Sequence, residues 1–251
     1  LDYGDELTFT LTPEQPGIRL AEPVPGVPDS DNLVIRAAKA LATTTERPLP
    51  GVTIHIHKRL PMGGGLGGGS SNAATTLLAM NRLWELNLGE DQLAEIGLRL
   101  GADVPVFVRG HAAFGEGVGE KLTPTNPPED WFLVLKPECN ISTGKIFSAE
   151  GLTRDTPKIK IRPAFEGDAS RYRNDCEDVV RKLYPEVNQS LEWLSQFGPA
   201  RLTGTGACIF GRFPTESAAR IIWESKPSGV TGFVAKGVNK SPLHKKLTEL
   251  K

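Results

Sequence analysis

The sequence lacks a long apolar run, a secretory leader and an excess of charge of either sign. No apolar stretch approaches the ~20 residues that span a bilayer, and the N-terminal stretch LDYGDELTFT is too mixed and too acidic for a signal peptide. The 29 Lys and Arg residues nearly balance the 30 Asp and Glu residues, which leaves a formal net charge of −1. Without a global positive field, we expect neither nucleic acid nor a membrane as a partner.

Cysteine is also scarce, and its spacing excludes two kinds of site. Cys139, Cys176 and Cys208 are odd in number, far apart and without a C-x-x-C pair. This pattern indicates a reducing compartment, so we expect a cytoplasmic protein without a disulfide framework or a zinc site. His55 and His57 share one face of a predicted strand, but no third ligand accompanies them, and a solvent-facing strand explains them better than a metal does.

What is present is the composition of an ordinary globular protein, since the 251 residues are 39% hydrophobic and 24% charged. Alternating apolar residues predict strands at Leu7–Thr12 and Val52–His57, with a helix over Leu33–Leu41 between them that Ser30 or Asp31 caps. Apolar positions at helical spacing predict two further helices. Their faces consist of Ala73, Leu77, Met80 and Trp84, and of Leu93, Ile96, Gly97 and Leu100.

A Pro-rich segment, LTPTNPPEDW, predicts a linker between two domains. We therefore place one domain at residues 1–125 and the other at residues 126–251. The second half contains a predicted strand in WFLVLKP, a helix at Pro185–Phe197, a strand–turn–strand in ARLTGTGACIFGRF, a helix at Ser217–Ser225 and a strand in GFVAKGV. This succession of strands and helices is typical of the α+β class.

A glycine-rich loop immediately precedes one of the predicted helices. In the stretch PMGGGLGGGSSNAA, from Pro61 to Ala74, six of the first nine residues are glycine. Glycine loses more conformational freedom on folding than any other residue, so the loop must have a use beyond connecting two elements. Backbone N–H groups at the positive end of a helix bind phosphate without a basic side chain, and one hydroxyl of Ser70 or Ser71 can contact a phosphate-bound Mg²⁺. A flexible hinge, the alternative, would not require a helix to begin at once.

Two well-known phosphate loops do not fit this stretch. The P-loop pattern ends in Gly-Lys-Ser/Thr, and no lysine lies here. Gly63, Gly65 and Gly68 match G-x-G-x-x-G, but a loop so rich in glycine matches that pattern by chance. A dinucleotide-binding unit would return to a parallel strand after the helix, whereas a second helix is predicted here.

Three segments resemble a known superfamily of small-molecule kinases. The run from Pro61 through Gly65-Leu66-Gly67-Gly68-Gly69-Ser70-Ser71 to Ala74 is similar to the ATP loop of the superfamily that includes galactokinase, homoserine kinase and mevalonate kinase. LGADVPVF and RLTGTGACIF resemble the corresponding segments of its diphosphocytidyl-methylerythritol kinases. The resemblance runs from LDYGD at the start to VAKGVNKSPLH near the end, which is close to the whole chain.

The resemblance implies an α+β, two-domain kinase, with an N-terminal domain that carries the ATP loop and a ferredoxin-like C-terminal domain. It implies transfer of phosphate from ATP, with Mg²⁺ bound through the ATP phosphates, to the 2-hydroxyl of a cytidine diphosphate derivative of methylerythritol in non-mevalonate isoprenoid biosynthesis. The expected assembly is a monomer or weak homodimer. Two alternatives stay open: a sister kinase that acts on homoserine or mevalonate, and a nucleotide-binding module without turnover.

The resemblance also assigns individual residues to the two ligands. The residues assigned to ATP are Asn32, Lys58, Pro61, Met62, Gly63, Gly64, Gly65, Leu66, Gly67, Gly68, Gly69, Ser70 and Ser71. The residues assigned to the substrate are Thr143, Phe147, Thr203, Gly204, Thr205 and Gly206. A core phenylalanine is the alternative for Phe147. An ordinary hairpin turn is the alternative for the second glycine loop, Thr203–Gly206.

Asp103 is the residue that the resemblance assigns as the general base. On its own terms it is also a good N-cap for a short helix, with Pro105 at an early helical position. The two roles are compatible, because a cap uses one carboxylate oxygen and leaves the other free.

The chain departs from the family pattern at its start. The family begins with a strand that carries a catalytic lysine, whereas Leu1 corresponds to a position well inside the first domain. The glycine loops at Gly63–Ser71 and Thr203–Gly206 contain no Lys or Arg that could replace it. On this resemblance we expect the chain, as numbered, to be destabilised and nearly inactive while still binding ATP.

Overall fold

The computed structural model describes residues 1–157 and 173–249, and these residues form two compact units. The first unit contains residues 4–59, 67–126 and 239–249, and the second unit contains residues 1–3, 60–66, 127–157 and 173–238. The main division, between Asn126 and Pro127, lies beside the predicted domain boundary.

Three segments depart from the predicted division into residues 1–125 and 126–251, and each does so because of long-range contacts. Asp2 donates its N–H to the carbonyl oxygen of Lys236 at 2.9 Å, which ties the first residues to the second unit. Leu60 is buried in an apolar cluster of the second unit. His111 forms a β-bridge with Lys240, which ties the last described residues to the first unit. A search for linkers in a sequence does not detect such pairings.

The strands in chain order are β1 (Glu6–Thr12), β2 (Ile18–Leu20), β3 (Gly51–His57), β4 (Ala113–Glu116), β5 (Lys121–Pro124), β6 (Trp131–Lys136), β7 (Ala200–Leu202), β8 (Ile209–Phe213) and β9 (Thr231–Lys236). The helices are α1 (Leu33–Ala42), α2 (Gly68–Leu83), α3 (Glu90–Leu100), α4 (Val104–Arg109), α5 (Thr143–Phe147), α6 (Glu177–Leu183), α7 (Pro185–Leu194), α8 (Glu216–Glu224) and α9 (Pro242–Glu249), with a 3₁₀ turn at Ser195–Phe197. The predicted α+β class is confirmed, and most predicted elements end within two residues of the observed ones.

In the first unit, a sheet of order β1-β3-β2 supports helices α1 to α4. β1 pairs antiparallel with β3, and β2 pairs parallel with β3. The inward side chains of β3, Val52 and Ile54, are fully buried against the helices, whereas His55 and His57 are exposed as predicted. β4 and β5 form a separate antiparallel hairpin.

The predicted apolar helix faces are buried in this unit, but the predicted cap of α1 was wrong. Asn32, not Ser30 or Asp31, is the N-cap, because its side-chain oxygen accepts a 3.0 Å hydrogen bond from the N–H of Val34. Trp84 ends the buried face of α2 and donates its indole N–H to the carbonyl oxygen of Pro50 at 3.0 Å.

In the second unit, a four-stranded antiparallel sheet of order β7-β8-β6-β9 carries the helices α6, α7 and α8. Its core contains fully buried Leu133, Leu135 and Ile209 from the sheet, together with Leu191 and Leu194 from α7. A sheet of this kind with helices packed on it agrees with the expected ferredoxin-like domain.

Among the described residues, no helix combines the length and the apolar character that crossing a membrane requires. Within the same part of the chain, His, Cys, Asp and Glu side chains do not gather in groups of three that could hold a metal ion. All three cysteines are free thiols.

Candidate active site

The start of α2 is the predicted phosphate-binding feature. Gly67, the N-cap, has φ of 67° in the left-handed region, and no side chain caps the helix. The first N–H groups of this 16-residue helix, at its positive end, therefore donate no hydrogen bond to an N-cap side chain. A Cβ at Gly67 would lie 3.0 Å from the ring of Phe107, so this position needs glycine for both its backbone angle and its space.

The turn that carries Asp103 lies beside this helix start, within the first unit. A Cβ built at Gly101 would be 3.8 Å from the hydroxyl oxygen of Ser70. The N–H of Val104 donates to the carbonyl oxygen of Gly101 at 3.1 Å, which closes the turn. Sequence reasoning placed Asp103 and Ser70 in separate segments, and the fold brings the two segments together.

Asp103 occupies the N-cap position of α4, as one of its two predicted roles requires, but its side chain accepts no capping hydrogen bond. The residue is exposed, and its carboxylate makes no hydrogen bond or ion pair within residues 1–157 and 173–249. α4 is instead held by packing, since Val104, Pro105 and Val108 are buried. Both carboxylate oxygens are therefore available to a ligand.

Two of the side chains assigned to ATP flank this region and have structural partners. Asn32 is nearly buried and caps α1, and Leu33, next in the chain, lies 3.4 Å from a Cβ built at Gly69. Lys58 lies 2.5 Å from the carboxylate of Asp5. Sequence reasoning missed Asp5, for which the acidic stretch LDYGD directly before a predicted strand was the available signal.

The first part of the glycine loop belongs to the second unit, where it is joined to the second glycine loop. The N–H of Ala207 donates to Gly63 O at 3.2 Å, and the N–H of Cys208 donates to Gly64 O at 3.1 Å. A Cβ at Gly65 would lie 2.6 Å from the carbonyl oxygen of Thr203, so the close approach of the two loops requires glycine there.

The thiol of Cys208 fills the space behind Gly64, where an added Cβ would lie 2.6 Å from the sulfur. Burial raises the pKa of the Cys208 thiol to about 12. The group is therefore neutral at physiological pH and is a packing residue rather than a nucleophile.

Two side chains from elsewhere in the second unit form hydrogen bonds with the second glycine loop and the strand before it. Sequence reasoning missed these residues as well. Asn174 donates its amide N–H groups to the carbonyl oxygens of Leu202 and Gly204 at 3.1 and 2.6 Å. Glu177 accepts the N–H of Leu202 at 3.0 Å. The stretch NDCE before two valines was a helix-start signal that could have drawn attention to Asn174.

Of the other side chains assigned to the substrate, Thr143 lies against this loop. The hydroxyl groups of Thr143 and Thr205 are 3.0 Å apart. Phe147 is 57% exposed, whereas Ile146 beside it is fully buried. The core alternative for Phe147 is therefore wrong. Arg154 donates a hydrogen bond to the main-chain carbonyl oxygen of Phe147 at 2.7 Å.

The structure thus distributes the predicted residues over two groups. The first unit holds Asn32, Lys58, Gly67, Gly68, Gly69, Ser70, Ser71 and Asp103. The second unit holds Pro61, Met62, Gly63, Gly64, Gly65, Leu66, Thr143, Phe147, Thr203, Gly204, Thr205 and Gly206.

Comparison with family profiles gives two matches. The profile described as GHMP kinases N terminal domain matches residues 32–111, which include the start of α2 and Asp103. The profile described as GHMP kinases C terminal matches residues 160–225. The two matches together cover more than half of the chain.

Two individual proteins are similar to this chain over its full length. A 4-diphosphocytidyl-2-C-methyl-D-erythritol kinase of Marinobacter nauticus is 97% identical over 251 residues, which are 100% of this chain and 88% of that protein. A kinase of the same name from Hahella chejuensis is 55% identical over 258 residues, covering 100% of this chain and 86% of that protein.

Solved structures share the fold. A crystal structure of 4-(cytidine 5'-diphospho)-2C-methyl-D-erythritol kinase has a TM-score of 0.77 and 29% identity, over 93% of this chain and 85% of that one. A homoserine kinase from Cytophaga hutchinsonii has a TM-score of 0.74 at 16% identity, over 94% of this chain and 86% of that one. The second likeness shows the fold alone.

Proposed function

Since the chain belongs to the GHMP kinases, and within them to the 4-diphosphocytidyl-2-C-methyl-D-erythritol kinases, we propose that it phosphorylates the 2-hydroxyl of 4-diphosphocytidyl-2-C-methyl-D-erythritol with ATP. The hydroxyl oxygen forms the new bond to the γ-phosphorus, the bond from that phosphorus to the bridging oxygen breaks, and ADP leaves. The hydroxyl proton passes to a carboxylate.

The observation that carries this proposal is the placement of Ser70 beside the Gly101–Asp103 turn at the start of α2. A phosphate at the helix start would accept hydrogen bonds from its free N–H groups. The exposed carboxylate of Asp103, which has no partner within residues 1–157 and 173–249, would then be available as the general base for the acceptor hydroxyl.

Mg²⁺ fits the same place, because a hydroxyl oxygen such as that of Ser70 or Ser71 is a suitable ligand for a hard cation that also binds phosphate. When bound, the ion would neutralise charge on the transferred phosphoryl group. The chain itself would supply backbone N–H donors, the serine hydroxyl groups and the base.

In the second unit, the Thr203–Gly206 loop and Phe147 would hold the cytidine diphosphate part of the substrate. N–H and hydroxyl groups beside glycines suit a diphosphate, and the exposed ring of Phe147 offers a flat face to a base. We place the protein in the cytoplasm, because the proposed reaction consumes ATP and the cysteine thiols are free. We take the active form to be a monomer or weak homodimer, which size-exclusion chromatography would measure.

Replacement of Asp103 by Asn tests the proposed base. Asn keeps the size of Asp, and the Asp103 side chain makes no capping hydrogen bond, so the melting temperature should change little. Turnover of the cytidine substrate, measured as ADP release with the protein extended by the family's N-terminal segment, should fall by about 10² or more. A variant that melts early but turns over normally would show that Asp103 serves the helix and not the reaction.

Substrate class is tested on the unaltered protein. Titration calorimetry and ADP release should detect diphosphocytidyl-methylerythritol and should give no response with homoserine or mevalonate. The sister-kinase alternative rests on a fold likeness at 16% identity, whereas the methylerythritol kinases of Marinobacter nauticus and Hahella chejuensis are 97% and 55% identical to this chain. Binding of the cytidine substrate without ADP release would favour a module that binds and does not turn over.

A further inference from the structure

A fully buried carboxylate lies directly before β1 in the first unit. The side chain of Asp5 is 0% exposed. It accepts hydrogen bonds from Nζ of Lys58 at 2.5 Å, from the main-chain N–H of Arg59 at 2.9 Å and from Nδ2 of Asn72 at 2.8 Å. A buried charge is tolerated only when it is paired and hydrogen-bonded, and this set of donors meets that requirement.

The donors come from the two flanks of the glycine loop. Lys58 and Arg59 follow β3 and are the last residues before the loop segment that starts at Leu60. Asn72 lies in the first turns of α2, directly after Ser71. One carboxylate therefore connects the residues that lead into the loop with the helix that leads out of it.

The segment between these flanks contains six glycines, and glycine loses more conformational freedom on folding than any other residue. Without a fixed connection between its ends, the loop would lose more conformational entropy when a ligand orders it. A connection that exists before the ligand arrives reduces that loss.

We infer that Asp5 is a positioning residue that fixes both flanks of the glycine loop and orients Lys58, so that the N–H groups at the start of α2 are ready for the phosphates of ATP. The Asp5 side chain is fully buried, so it acts through Asn72 and Lys58 rather than by contact with a ligand. This inference rests on the proposed function, since it takes the loop as the ATP site.

Asp5→Asn is the informative change, because it keeps the shape and removes the charge. The new amide group can accept only at its oxygen, and its NH₂ would face the ammonium of Lys58 or the amide of Asn72, which are donors themselves. We expect the KM and Kd for ATP to rise about tenfold or more. We expect the KM for the cytidine substrate to be unchanged, and kcat at saturating ATP to stay within about twofold.

A matched control is available next to Asp5. Glu6 forms an ion pair with Arg59 at 3.1 Å, but its side chain is 70% exposed. Glu6→Gln removes one negative charge at the neighbouring position, and exposed ion pairs contribute little. We expect this variant to bind ATP as the unaltered protein does.

A second variant tests the connection between the two flanks of the loop without removing the ion pair between Asp5 and Lys58. It also provides a test if Asp5→Asn does not fold. Asn72→Ala leaves the Asp5–Lys58 pair in place and puts a good helix former in α2. If the carboxylate fixes both flanks, this variant should also raise the KM for ATP while the KM for the cytidine substrate holds.

The measurements are titration calorimetry with ATP and steady-state kinetics with each substrate varied in turn, on all three variants and the unaltered protein. An unchanged KM for ATP in folded Asn72→Ala or Asp5→Asn would overturn the inference. A joint fall in kcat, in both affinities and in the melting temperature would also overturn the inference, because a general structural role predicts that result. If the unaltered protein itself fails to bind ATP, the proposed function fails instead.

Discussion

Thr203 Oγ1 lies 2.6 Å from the carbonyl oxygen of Gly64, so a side chain of the second glycine loop is hydrogen-bonded to the main chain of the first. The same hydroxyl lies 3.0 Å from the carbonyl oxygen of Cys208. Thr203 was assigned to the substrate from sequence, but the structure gives its hydroxyl group an internal partner. Its effect on a ligand is therefore expected to act through the shape of the two loops.

Thr203→Val tests whether the hydroxyl group of Thr203, rather than the shape of its side chain, holds the two glycine loops together. Valine keeps the branched side chain but removes one of the two donors to the Gly64 carbonyl oxygen, the other being the N–H of Cys208, and we expect a loss of about 0.5–1.5 kcal/mol in the free energy of unfolding. Thr203→Ser, which keeps the hydroxyl group, is the control and should lose less. Urea denaturation of the two variants measures the difference; equal losses would mean that the methyl group, not the hydrogen bond, holds the loops together.

Gly67→Val should weaken ATP binding by more than tenfold, or more than ~1.4 kcal/mol. The new side chain would meet the ring of Phe107 and would strain a backbone with φ of 67°. Gly26→Val is the control, because Gly26 also has a positive φ, of 74°, but a Cβ there meets nothing within 4 Å. Calorimetry with ATP on folded samples should show a loss in the first variant alone. Equal ATP affinity in both would place the phosphates elsewhere.

Phe147→Leu should lower the affinity for the cytidine substrate and leave the affinity for ATP unchanged. Leucine keeps apolar volume but lacks the flat face on which a base stacks. Since Phe147 is 57% exposed, the melting temperature should hardly change. Phe197→Leu alters another exposed phenylalanine of the same unit, 43% exposed, and should leave both affinities as they are. A parallel loss of both ligands in Phe147→Leu would contradict the assignment.

Cys208 should make the protein less stable at alkaline pH. Burial raises the pKa of this thiol from 9.0 to about 12, so the folded state keeps a proton that the unfolded state releases first. The stabilisation from this group is present below pH 9 and is lost as the pH rises from 9 towards 12. In that window the free energy of unfolding should fall by up to about 1.4 kcal/mol per pH unit more in the unaltered protein than in Cys208→Ala. Identical pH profiles above pH 9 would mean that the thiol ionises freely in the folded state.

Several local features could be predicted from the sequence because they depend on neighbouring residues. The period of apolar residues identified the buried face of α2, from Ala73 to Trp84, since side chains that recur at helical spacing must lie on one side. The glycines before Ser70 predicted a helix that begins directly after the loop, and α2 begins at Gly68. The position of Asp103 at the start of α4 followed from Pro105, whose fixed φ suits an early helical residue.

The predicted cap of α1 and the predicted domain limits differ from the structure, because neither depends on neighbouring residues alone. Ser30, Asp31 and Asn32 are all good capping residues, and only the backbone conformation decides that Asn32 takes the position. Residues 60–66 were assigned to the first domain by their place in the chain. Their contacts with residues of the second glycine loop place them in the second unit.

The sequence by itself determined the α+β class, the helix that follows the glycine loop and, by resemblance, the superfamily of small-molecule kinases. Tertiary structure decided which distant residues meet: Asp5 with Lys58 and Asn72, and Ser70 with the Gly101 turn. The physical reason is that periodicity and capping are local properties of the chain, whereas the partner of a buried carboxylate is chosen by packing. Packing brings together residues whose separation in the sequence carries no signal of their contact.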